Sequence, residues 1–175
     1  MATGPQPTIT PESASATRDA LAADLEREME ITAKVISAIP EKAARSYRPD
    51  PKARTAWELA WHLVSSEVQM LEEIADMKFT MEPRYTEEPR SVADMVTWYQ
   101  EHLPPALARV RKLTGQQLAT PVDFYGAFNF PDFIYISFVG KHSIHHRGQL
   151  AVYLRPMGGK VPSIYGGSAD EPYQG

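Results

Sequence analysis

The chain has 175 residues, 43% of them hydrophobic and 23% charged, with a formal net charge of −4 and no cysteine. Such a length buries one sizeable core unaided. The acidic balance without a long basic run argues against a DNA or RNA partner, and the missing thiol excludes disulfides, thiolate metal ligands and a cysteine nucleophile.

Residues 1–16 carry Pro5, Pro7 and Pro11 among small polar residues and are expected to form a loosely packed tail, leaving 17–175 as one domain. From Thr17 to Ala38, Leu21, Leu25, Met29, Val35 and Ile36 recur at helical spacing, and Pro40 stops the run. After a loop around Pro49 and Pro51, Thr55 and Glu58 form a capping box ahead of a second amphipathic helix through Trp57, Trp61, Val64, Val68 and Leu71. The stretch from Phe79 to Arg90 has no period and predicts a long loop, of the kind that often covers a site. Ser91 and Asp94 then cap a third helix running to Leu113, which the pair Pro104–Pro105 should kink or break and Gly115 should end. Aromatic residues and glycine between Pro121 and Phe130 predict a short extended crossover. A fourth helix starts near Pro131 or Asp132 and stops at Arg155, before Pro156, Gly158 and Gly159, and a C-terminal loop segment follows. The fold class expected is all-α, a four-helix bundle. No stretch approaches the ~20 apolar residues of a membrane span, and the start lacks the basic-then-apolar pattern of a signal peptide. A cytoplasmic protein without a membrane partner is therefore expected.

His142 and His146 stand four apart on the fourth helix, which places both imidazoles on one face, one turn apart, where they can share a metal ion. Tyr135, Phe138, Gln149 and Tyr153 fall within about 60° of His142 on the helical wheel and suit a pocket wall. His145 lies about 60° to the other side, either outside the first shell of ligands or in place of His146. His62 and His102 remain as sources of a third ligand, and His62 is chosen. The wheel sets it beside Glu58, Ser65 and Gln69, away from the apolar stripe, so the pattern alone makes it a boundary residue. Arg147 points about 100° away from His146 and reads as an arginine that holds a carboxylate or a helix end. Gly148 reads as a site of close helix approach. No zincin HExxH is present, and no histidine has Glu three residues before it as di-iron bundles require, so the site reads as mononuclear.

The segment KHSIHHRGQL, Lys141 to Leu150, resembles the signature helix of the DinB-like (DinB/YfiT-like) metalloenzyme family, with His62 in WELAWHLVSSE matching that family's second-helix histidine. The ending GGKVPSIYGGSADEP is similar to family endings, and the likeness runs from about residue 17 to about residue 170. The resemblance implies a DinB/YfiT-like bundle with His62, His142 and His146 around one divalent ion, and it is compatible with a homodimer. Zinc or nickel is preferred, and iron and manganese also accept imidazole. Some family members use a low-molecular-weight thiol, so the function expected is activation of a small thiol or water by a thiol S-transferase or hydrolase acting on a small-molecule substrate. The alternative is a non-catalytic or stress-related bundle in which the metal is structural.

Overall fold

The computed structural model describes residues 9–173. Thr10 opens the first helix, α1 (Pro11–Ser37), through a reciprocal cap: its Oγ1 accepts the Ser13 N–H, and Ser13 Oγ accepts the Thr10 N–H. Pro11 sits at the first helical position, where its missing N–H costs nothing. The helix thus begins at Pro11 rather than Thr17, and Ala14 is fully buried, so residues 11–16 are packed helix and not tail. The rest of the expected tail, 1–8, lies outside the described residues.

A short turn of helix, α2 (Glu41–Ala44), leads to α3 (Ala56–Asp76), which starts on the predicted capping box of Thr55 and Glu58. Ser91 caps α4 (Val92–Val110), which does not break at Pro104 and Pro105. Both prolines are exposed, and so are Gln100 and Glu101, whose carbonyls lose their helical donors and can turn to water instead. Gly115 does not close this helix but starts another, α5 (Gly115–Ala119). The expected crossover is an antiparallel hairpin of β1 (Pro121–Phe124) and β2 (Phe128–Pro131), and α6 (Phe133–Leu154) completes the bundle.

The fold is an all-α four-helix bundle. α1 and α3 each pack against both α4 and α6, which places α1 diagonally across from α3. Trp57, Leu63 and Leu71 of α3 belong to the same core as Met95, Tyr99 and Leu103 of α4, all at most 2% exposed. This order makes α3 and α6 neighbours although the whole of α4 separates them in the chain.

Gly115 backs against the start of α1 so closely that a Cβ there would lie 2.2 Å from the Pro11 carbonyl oxygen. Gly115→Ala must push two backbones apart and is expected to cost about 1–3 kcal/mol, the usual range for overpacking. Thermal denaturation would read this as a clear drop in Tm, and an unchanged Tm would mean that α5 is not held against α1.

Asp132 precedes α6 with helical backbone angles, so its carboxylate does not cap the helix. The residue is fully buried, and neither side-chain oxygen has a hydrogen-bond partner among the described residues. Burial pushes its carboxyl up to about 7 from 3.8. The folded chain therefore holds this proton more tightly than the unfolded chain, and stability should fall as pH rises from about 4 to about 7. Asp132→Asn should remove that slope and gain up to about 4 kcal/mol above pH 7. Urea unfolding of both proteins at pH 5 and pH 8 would check this, and equal differences at the two values would refute it.

Candidate metal centre

Because α3 and α6 are neighbours, the polar flank of α3 that carries His62 turns toward α6 rather than to solvent. His62 Nε2 lies 3.3 Å from His142 Nε2. The rings of His62 and His146 are 4.8 Å apart, and those of His142 and His146 are 4.4 Å apart. One ligand atom from each of the three residues lies within 4.8 Å of the others, so together they could hold a metal ion. Tetrahedral zinc with bonds of about 2.0–2.1 Å needs its nitrogens about 3.3–3.4 Å apart, which the His62–His142 pair meets as it stands.

The remaining ring nitrogens are held unevenly. His62 Nδ1 lies 3.1 Å from Ser66 Oγ, and His146 Nδ1 lies 2.8 Å from Gln149 Oε1. The Gln149 oxygen can only accept, so His146 carries its proton on Nδ1 and keeps a lone pair on Nε2. The Gln149 amide in turn donates to His145 Nε2 at 3.2 Å, which engages His145 outside the group of three. His142 Nδ1 is buried without a partner among the described residues. Burial, followed by the charges of Arg54 and His146, lowers His62 to about 4. Burial and the neighbouring histidines lower His142 to about 3, and burial first of all lowers His146. All three imidazoles are therefore neutral at pH 7, the form that donates to a metal.

Beside them is a cavity of about 220 Å³ lined by His62, Ser66, Gln69, Met70, Tyr125 and His142. Tyr125 comes from the hairpin turn, where its φ of 55° is unusual for a residue with a side chain, and its hydroxyl donates to Glu73 Oε2 at 2.8 Å. The 79–91 loop walls a different depression, of about 790 Å³, with Tyr85 and Trp98 among its lining and none of the three histidines.

Two residues read as pocket wall from the sequence have other work. Tyr135 accepts the Phe130 N–H and donates to the Val122 carbonyl, pinning the hairpin to α6, and Tyr153 packs edge-on against Tyr47. The wheel gives both the angle of His142 but ignores their distance along the axis, about 10 Å for Tyr135 and about 16 Å for Tyr153. No sequence pattern singles out Ser66, Met70, Tyr125 or Arg54 for the site. Ser66 was within reach of inference, one turn after His62, whereas Arg54 precedes the cap of α3 and shows no pattern.

Arg147 turns toward α1 rather than α3, into the bundle, and is 1% exposed. It donates to Thr32 Oγ1 at 3.1 Å and to the Glu28 carbonyl at 3.3 Å, and it pairs with the Glu28 carboxylate and the Tyr165 hydroxyl. Thr32 also meets Ser143 at 3.1 Å. These bonds fix the rotation of α6 against α1 and so aim His142 and His146 at α3.

The fold and the site define a helical bundle with a three-histidine group set between its second and last long helices. The pattern of the DinB family matches residues 13–174, and the chain belongs to that family. The fold is similar to a DinB-like protein from Bacillus cereus ATCC 10987, with a TM-score of 0.71 and 24% identity over 84% of this chain and 97% of that one. It is also similar to the DinB-like protein YjoA of Bacillus subtilis, with a TM-score of 0.66 and 21% identity over 87% and 96% of the two chains. In sequence it is 26% identical to the uncharacterized protein YrdA of Bacillus subtilis (strain 168) over 118 residues, 67% of this chain and 70% of that protein. No helix among the described residues is long and apolar enough to cross a membrane.

Proposed function

We propose that the chain is a metal-dependent enzyme in which His62, His142 and His146 hold one divalent ion, zinc or nickel by preference, and the adjoining cavity takes a small substrate. The observation that carries this reading is the 3.3 Å separation of two neutral Nε2 atoms, with a third imidazole beside them and a cavity lined by His62 and His142. An ion held by three neutral imidazoles keeps a position open and lowers the pKa of a water or thiol placed there, which suits a hydrolase or a thiol S-transferase. The chain's own groups do the rest. Ser66 and Gln149 hold the rings of His62 and His146 in rotation. Met70 and Tyr125 wall the cavity. Arg54, exposed and without an ion pair among the described residues, leaves positive charge near the three histidines that favours an approaching anion. A cytoplasmic location is part of the same proposal.

A structural role for the ion is the second reading, favoured by one observation: among the described residues no carboxylate lines the cavity to act as a general base. Metal-loaded protein assayed for hydrolysis and for transfer from small thiols separates the two. Turnover that disappears with the metal supports the enzyme. Stoichiometric metal with no turnover of esters, amides or thiols supports the structural role.

A further inference from the structure

The broad depression walled by the 79–91 loop has a chemistry of its own. Its lining includes the indole of half-buried Trp98, which three other rings hold in place: His102 stacks on it with ring centroids 4.3 Å apart, and Trp61 and Tyr85 meet it edge-on at 4.8 and 4.9 Å. His102 Nδ1 lies 2.7 Å from the Trp98 carbonyl oxygen, one turn back, and donates to it, so that ring is fixed as well. An aromatic surface set in advance loses little freedom when a ligand settles on it.

The charges around Trp98 are unequal. Arg84 is taken up by Glu72 at 3.2 Å and Asp76 at 2.8 Å, and Glu88 by the Trp57 indole N–H at 2.7 Å and Arg45 at 3.6 Å. Of the charged residues left in the lining, Glu87, Asp94 and Glu101 are acidic and Arg90 is basic; all four are exposed and without an ion pair among the described residues. Asp94 suits the first turn of α4, whereas Glu101, two turns on, has no such role. Asp94, Trp98 and Glu101 stand four and then three residues apart, so one face of α4 presents an indole between two carboxylates about 10 Å apart along the axis.

We propose that this depression binds a linear polyamine, with one ammonium group at Asp94, another at Glu101 and the carbon chain between them lying across Trp98. Methylenes beside an ammonium share its charge and are drawn to an aromatic ring, so the chain is attracted to the indole as well as sheltered from water by it. Glu87 of the loop offers a third carboxylate to an inner amine. A small anion would meet three carboxylates with one arginine to offset them, and a compact cation cannot reach both ends of the face at once. None of the three histidines lines the depression, so the site does not depend on a metal.

The test is titration calorimetry of the full chain with spermidine at physiological ionic strength, where general attraction to an acidic protein is screened. One spermidine per chain is expected, and putrescine, too short to span both carboxylates, should bind more weakly. Glu101→Gln and Trp98→Leu should each weaken spermidine by about fivefold. Glu30→Gln, which removes an exposed carboxylate of α1 outside the depression, should leave the affinity unchanged. Glu101 is exposed, so its variant should keep the helical circular dichroism of wild type. No binding of spermidine up to millimolar concentration overturns the proposal. A loss in Glu30→Gln equal to that in Glu101→Gln overturns it as well, since only net charge would then be read, and putrescine binding as tightly as spermidine overturns the two-ended fit.

Discussion

Arg147→Ala is expected to lower the unfolding free energy by about 3–5 kcal/mol, because it leaves the Glu28 carboxylate buried without its partner. Glu28 is 8% exposed, and its remaining side-chain contact is the Tyr165 hydroxyl at 2.7 Å. The loss should extend to the C-terminal segment. Tyr165 ties that segment to α1 and α6 through Glu28 and Arg147, and without Arg147 its hydroxyl keeps only the Glu28 bond, beside the outer pairs Lys34–Glu171 and Arg155–Asp170. Urea denaturation of the metal-free protein measures the loss. The double variant Arg147→Met with Glu28→Leu separates a broken pair from a lost scaffold. Replacing both charges with apolar groups of similar length should recover most of the stability, since an intact buried pair contributes little net energy. A double variant no more stable than Arg147→Ala alone would contradict that explanation.

His142→Ala should abolish stoichiometric metal binding, and His62→Ala should do the same, while His145→Ala leaves the stoichiometry intact. Each of the first two removes one of three ligands, a larger loss than the 10- to 100-fold in affinity that removal of a ligand's outer partner costs. Gln149→Ala, which frees the His146 ring, should fall within that smaller range. Stability supplies a second readout. A metal that binds only the folded chain raises stability by about 4 kcal/mol at a thousandfold excess over Kd, and that rise should vanish in His142→Ala. His142 is half-buried and its Nδ1 is buried without a partner among the described residues, so its removal should cost the metal-free protein little. Equal metal content in wild type and both variants would end the assignment.

The bundle was legible because its helices announce themselves locally. The Thr55–Glu58 box and the Ser91 cap marked two starts within a residue of where the helices begin. Pro11 misleads by the same local logic: a proline in a polar stretch suggests a tail, yet at the first position of a capped helix it is a start signal. Pro104 and Pro105 were read as breakers because sequence does not say which side of a helix faces water, and on an exposed side the lost bonds are cheap. The spacing of His142 and His146 pointed to a shared ligand. His62 looked like a boundary residue because a wheel has one polar side, whereas α3 packs on two neighbours and its polar flank faces one of them. Tyr125 and Arg54 depend on how a hairpin and a loop are placed, and no periodicity encodes that.

The diagonal arrangement of α1 and α3 also bears on how the protein is made. His62 and His142 are 80 residues apart in the chain, and the helix that carries the first leaves the ribosome well before the helix that carries the second. A nascent chain with α3 exposed has one of the three nitrogens and no cavity, so it has nothing with which to select an ion. On the proposed function, metal uptake would therefore be a late event of biosynthesis, and a chain cut short before α6 would carry an incomplete set of the three histidines whatever helices it had already formed.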